Sequence, residues 1–136
     1  MLLLTISVFL LLLSGCGGDA DTGRPVDMPK ICSVKITITQ DGKPLEGAKV
    51  TLIAKEQTKY GTAGGTTNAA GVVAPKTYGF VGVPVGDYAV TIEKIDDESG
   101  VRYVDAQYAS ETTTPHSITV TEKGATATFE VGKPAQ

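Results

Sequence analysis

The sequence withholds three things at once: it has a single His, no Trp and no excess of positive charge. His is the usual base near neutral pH, and a nucleophile must be held beside it for hydrolysis or group transfer. His116 is the sole imidazole, follows Pro115 at the start of a predicted strand, and has no Ser or Cys tied to it by spacing. It is read as a solvated strand-end residue, and the chain as a non-enzyme. A tetrahedral zinc site cannot be assembled from one His and one free Cys, so no metal and no cofactor is expected. The formal net charge is −3 with acids and bases interspersed. That leaves no basic surface to neutralise phosphates and removes nucleic acid from the candidate partners. Gly61, Gly64 and Gly65 lack both a strand-to-helix context and the Gly-Lys-Ser/Thr of a phosphate loop, and read as turn and bulge glycines. No helical period of useful length occurs. Recurrent Val, Ile, Thr and Gly, with aromatics at 6%, are the composition of a compact β domain.

The one long apolar stretch lies at the start. Ile6 to Leu13 is broken only by Ser7 and ends in small residues before Cys16. It is too short to span a bilayer as a permanent helix, and its length suits the hydrophobic region of a secretory signal. Leu13-Ser14-Gly15-Cys16 looks like a bacterial lipobox, in which small residues fit the signal peptidase and the Cys thiol receives diacylglycerol. No Lys or Arg precedes the run, so the positive charge of an export signal falls to the terminal amine or to residues upstream of Met1. Thioether-linked acyl chains exceed what stable membrane anchoring requires. Residues 1–15 are therefore read as a lipoprotein signal peptide, with Leu13, Ser14 and Gly15 as peptidase recognition residues and Cys16 as the lipidation site. Gly17 follows the Cys, where inner-membrane retention would call for Asp, so the outer membrane is the expected destination in a double-membrane cell. Cys32 is then unpaired, which excludes a disulfide framework.

Gly17 to Pro29 is rich in Gly, Pro and Asp with almost no apolar period, the signature of a flexible tether. Residues 16–30 are assigned to lipidated Cys and tether, a span of roughly 14 residues that reaches at most about 50 Å. The folded domain is expected over 31–136. Cys32, Val34, Ile36 and Ile38 alternate with polar residues and predict a strand whose apolar set, Cys32 included, points into a core. Asp41-Gly42-Lys43-Pro44 is turn chemistry, and Ala48, Val50, Leu52 and Ala54 then alternate in the same manner. Asn68 to Gly71 reads as a turn between two short strands. Tyr88, Val90 and Ile92 share one face of a further strand. Val101 to Val104 predicts a short strand, and Ser117 to Thr121 with Ala125 to Val131 a closing hairpin through Lys123-Gly124. About seven short strands with turns at this spacing argue for an antiparallel sandwich.

Two other groups carry candidate chemistry. Asp96, Asp97 and Glu98 are carboxylates of the kind Ca²⁺ prefers, but they lack the spaced pattern of a calcium loop and read as a solvated turn. Of Tyr60, Tyr78, Tyr88, Tyr103 and Tyr108, Tyr88 is inward by parity, and the others read as core or core-edge aromatics. Tyr103 and Tyr108 remain the pair from which a carbohydrate or peptide platform would be built.

Asp41-Gly42-Lys43-Pro44-Leu45-Glu46-Gly47-Ala48-Lys49-Val50-Thr51-Leu52 resembles the opening hairpin of carboxypeptidase regulatory-like domains, a transthyretin-like (prealbumin-like) sandwich family. Thr67-Asn68-Ala69-Ala70-Gly71 is similar to its Thr-Asp-x-x-Gly turn, and Pro84-Val85-Gly86-Asp87-Tyr88 to its Pro-x-Gly-x-Tyr motif, with coverage from about Val34 to Val131. The resemblance implies a Greek-key β-sandwich and a non-enzymatic accessory module, and brings no catalytic residues. Isopeptide-forming adhesin domains need a last-strand Asn, whereas the only Asn here is Asn68. Hydroxyisourate hydrolases depend on several His and a C-terminal Tyr-Arg-Gly-Ser, neither of which is present. The expectation is a membrane-anchored envelope lipoprotein presenting a structural or protein-interaction module to an unidentified envelope protein. The alternative is a small-ligand or glycan-binding module.

Overall fold

The structure, a computed structural model, describes residues 23–135. These residues form an all-β sandwich of two facing sheets with a small third pairing. The strands are β1 (Ile31–Cys32), β2 (Val34–Gln40), β3 (Lys43–Pro44), β4 (Lys49–Ala54), β5 (Thr62–Thr66) and β6 (Val72–Val73). They continue as β7 (Lys76–Thr77), β8 (Phe80–Val81), β9 (Val83–Pro84), β10 (Gly86–Glu93), β11 (Ser117–Val120) and β12 (Ala125–Glu130). One sheet runs β11-β10-β4-β5-β7-β8; the other runs β12-β2-β3, with β6 also on β2; β1 pairs with β9. The period-two alternation explains the layering. Val34, Ile36 and Ile38 from β2 meet Val50 and Leu52 from β4 and Val90 and Ile92 from β10 in one core, each at most 2% exposed.

The motifs that suggested a family are structural clamps. Thr67 is buried; its hydroxyl donates to Leu45 O (2.6 Å) and accepts from Ala48 N–H (2.9 Å), fixing the turn that delivers β4. Asn68 Oδ1 accepts from the amides of Ala70 (2.9 Å) and Val72 (3.1 Å), a side chain closing its own turn. Gly71 sits at φ +74° with Ile38 O where a Cβ would lie only 2.6 Å away, so only glycine lets that turn press against β2.

Local pattern misplaces three features. The predicted first strand is divided at Ser33: Ile31–Cys32 pairs with β9, while β2 begins at Val34. Cys32 is nevertheless 5% exposed, as parity predicts. Residues 101–104 form no strand. Only an isolated bridge, Ile95 with Arg102, survives, because Asp105 caps a 3₁₀ turn over Ala106–Ala109 that draws the chain across β10. The predicted closing hairpin has its turn at Thr121–Gly124, yet its arms separate. β11 pairs antiparallel with β10, whereas β12 crosses to the other sheet and pairs parallel with β2, Ala125 opposite Val34 and Glu130 opposite Thr39. Gly124 makes this crossing; at φ +85° its backbone lies so close to Ser33 O that a Cβ would stand 2.1 Å from it.

Candidate functional site

Where β4 ends, the chain leaves the sandwich at Ala54 and returns through Tyr60, opposite the junction of β9 with β10. Between them lies a cleft of about 790 Å³. Ala54, Pro84, Val85, Tyr60 and Tyr88 supply its apolar lining; Lys30, Lys55, Lys59, Glu56 and Asp87 its charged rim. Tyr88 anchors the floor: it is 3% exposed, and its hydroxyl donates to Pro84 O at 2.8 Å. Burial, with a smaller contribution from Cys32, pushes its phenol above the ordinary tyrosine range.

One wall of the cleft comes from the segment that composition reads as tether. Met28 is buried, and Asp27 is latched to the domain by two bonds: Tyr60 Oη donates to Oδ1 at 2.6 Å and Lys59 Nζ to Oδ2 at 2.9 Å. The hydrogen bond from Tyr60, then that from Lys59, holds the Asp27 carboxyl below its usual range. The same carboxylate pushes Tyr60 and Lys59 up. The Tyr60 ring in turn meets Tyr78 edge-on, centroids 5.8 Å apart at 80°. Around this end, Tyr78 and Val85 stand 68% and 54% exposed, and Val26, beside Asp27, is fully exposed. Exposed apolar surface at this end is thus bordered by Lys and carboxylate side chains.

Leu13, Ser14, Gly15 and Cys16 lie outside the described residues. His116 stands immediately before β11 and is partly covered rather than freely solvated. It is half-buried between the rings of Tyr108 (5.5 Å, 16°) and Phe129 (4.7 Å), and its Nε2 bonds Glu130 O at 2.9 Å. The sequence gives no sign of this, because its three partners come from a loop and a different sheet. Tyr103 and Tyr108 have different ring neighbours: Lys94 Nζ lies over the Tyr103 ring at 5.3 Å, while Tyr108 stacks on His116. Asp96 spends its Oδ1 on the amides of Glu98 and Ser99, which also lower its pKa, so the acidic loop holds its own turn. Among the described residues no group of three His, Cys, Asp or Glu is arranged to hold a metal. Gly64 and Gly65 lie within β5, and Gly61 leads into it.

The latch residues Asp27, Lys59 and Tyr60 are what sequence reasoning missed. Asp27 and Tyr60 are 33 positions apart, and nothing in their spacing ties a tether carboxylate to a loop phenol.

No protein-family model matches the chain, and no curated protein matches it either. Among solved structures, the chain is similar to a variant of the major pilin subunit of Bacillus cereus (17% identity, TM-score 0.49), over 78% of this chain and 31% of the pilin. It is also similar to the 5-hydroxyisourate hydrolase of Klebsiella pneumoniae (17% identity, TM-score 0.43), over 79% of this chain and 91% of the enzyme. A third likeness is to a group B streptococcus pilus 2b backbone protein (16% identity, TM-score 0.43), over 82% of this chain and 47% of that one. The chain thus spans about a third to a half of the pilus proteins it resembles, and likeness at this level transfers no activity, partner or assembly to it.

Proposed function

We propose that the chain is a lipid-anchored, non-enzymatic protein of a bacterial envelope whose sandwich, of the carboxypeptidase regulatory-like kind, is a protein-interaction module. The apolar run before Leu13-Ser14-Gly15-Cys16 supports the anchor. The observation that carries the interaction reading is the cleft at the tether end, flanked by the exposed side chains of Val26, Tyr78 and Val85. Exposed apolar groups gathered around a concavity and ringed by charge are what a protein interface presents before its partner arrives. The experiment is photo-crosslinking in intact cells from positions 78 and 85, with position 97 on the acidic loop as control. A discrete adduct from 78 and 85, absent from 97 and lost on Tyr60→Ala, is the expected result. Equal adducts from all three positions would remove the cleft from the interface. For the anchor, Cys16→Ser should leave the protein unlipidated, and an unmodified Cys16 in membrane-bound wild type would refute it.

A second reading rests on the same cleft, whose volume lies within the range of small-molecule sites, roughly 300–1,000 Å³. A small ligand or glycan fragment would shift the ring resonances of Tyr60 and Tyr88 without any protein adduct forming. That pattern would favour the ligand-binding alternative.

A further inference from the structure

The Asp27 latch changes where the tether ends. By composition the tether runs from Cys16 to Lys30, and at full extension that length reaches about 50 Å. In the structure its second half is folded onto the sandwich. Arg24 Nη2 donates to Pro29 O (2.6 Å) and Met28 N–H to Pro25 O (3.1 Å), which curls the segment on itself. Met28 is buried, and Asp27 holds Lys59 and Tyr60. The chain is thus fastened from Arg24 onward. Whatever the course of residues 16–23, the peptide steps between them span no more than about 25 Å. Latching halves the reach.

The latch also fixes which end of the sandwich lies near the anchor. Asp27 is a wall of the cleft, and the chain departs toward Cys16 only a few residues before it, beside the rim that carries Lys30 and Lys59. β10 runs the other way: it starts at Gly86 in the cleft lining and ends at Glu93, roughly 23 Å further on, leading to the loop of Asp96, Asp97 and Glu98. Val26, the most exposed apolar side chain of the proposed interface, belongs to the fastened segment itself, so that surface is complete only while the latch is closed. Resting on the lipid-anchored interaction reading above, we propose that the latch holds the cleft at the membrane surface and that its partner is a protein seated in the same membrane. A partner standing well beyond about 25 Å from the bilayer could be reached only by unfastening Asp27, which takes a wall from the cleft. A protein of the same membrane meets the cleft with the latch closed, and confinement to one surface raises its effective concentration.

The test uses the full chain, purified with its lipid and set in liposomes. A dye on Val85→Cys marks the cleft and one on Asp97→Cys the far end; Cys32 is buried and does not compete. Energy transfer to labelled headgroups should be stronger from position 85 than from position 97. Asp27→Ala with Met28→Ser removes both points that fasten the segment, neither of them in the core cluster, and should bring the transfer from 85 down toward that from 97. Ten Gly/Ser residues inserted between Gly18 and Asp19 leave the domain untouched and should also lower it. A chain without lipid at Cys16 takes the anchor reading and the proposal down together. A lipidated chain with equal transfer from both positions, or with transfer indifferent to the latch, overturns the proposal and leaves the anchor standing. In intact cells, the protein photo-crosslinked from position 85 should itself carry a membrane-spanning segment, a barrel or a lipid, and the same insertion should lower the adduct on the order of threefold. A soluble partner, or an adduct that holds steady or rises with the longer tether, overturns the proposal.

Discussion

Replacing Thr67 with Val changes almost no volume yet removes a hydroxyl that serves two backbone groups. Thr67 is 4% exposed, and among the described residues no other partner bonds the Leu45 carbonyl or the Ala48 amide. Losing a hydrogen bond while leaving its buried partner unsatisfied costs about 1–3 kcal/mol per group. Two groups are affected, and some relaxation lets water reach the turn, so the expected loss is about 2–4 kcal/mol. For a domain of this size each kcal/mol moves Tm by roughly 4 °C, so Thr67→Val should melt about 8–16 °C below wild type by calorimetry or circular dichroism. Thr67→Ser keeps both bonds and loses one methyl, and should cost about 1 kcal/mol. Thr66→Val, on the exposed face one residue away, should stay within about 0.5 kcal/mol. If Thr67→Val melts with Thr66→Val, the clamp does not hold the turn and the motif must be explained otherwise.

Gly124→Ala combines a left-handed backbone with a clash against Ser33 O; it should cost on the order of 3 kcal/mol or more in urea titration, and a loss under 1 kcal/mol would refute the crossing geometry. The latch carries a pH signature. The folded pKa of Asp27 is depressed, so its contribution is complete above the unfolded value near 3.9 and vanishes as pH falls through the lower folded value. Those of Tyr60 and Lys59 are raised, so their contribution is complete below about 10 and is lost as pH rises through the folded values. The Tyr60 ring resonances should therefore be flat across neutral pH, with an acid midpoint below about 3.9; a midpoint at or above that would sever Asp27 from Tyr60. His116→Ala should cost about 1–2 kcal/mol through its lost ring contacts and its bond to Glu130 O. It should leave any deletion phenotype complemented, and loss of complementation at unchanged Tm would make His116 a functional residue.

The four longest strands were legible because each carries a period of two over several residues: β2, β4 and β10 bury side chains that their alternation marks, and β12 half-buries its own set. The turns at Asp41-Gly42, Asn68–Gly71 and Lys123-Gly124 were equally legible, since Asp41 and the glycines adopt conformations that other residues resist and Asn68 closes its turn with its side chain. Residues 101–104 misled because two valines flank polar residues in a strand-like rhythm. Val101 and Val104 are three apart and would lie on opposite faces of any strand, and only Val104 is buried, at 1% exposure against 51%. The cleft was half visible: Pro84, Gly86 and Tyr88 stand in a motif, while Asp27 and Tyr60 meet only after folding.

The sequence by itself determined which face of each long strand turns inward, where most turns fall and that the fold is all β, because hydrophobic period and turn chemistry are local quantities. Tertiary structure alone decided which edge each strand joins. Backbone amides and carbonyls are the same in every residue, so nothing local tells β12 to leave β11 and lie parallel to β2, or Ser33 to divide one run between two pairings. The Asp27 latch is of this kind as well: a carboxylate in a tether is solvated by default, and becomes a wall of the cleft only because packing brings the hydroxyl of Tyr60 and the ammonium of Lys59 to it.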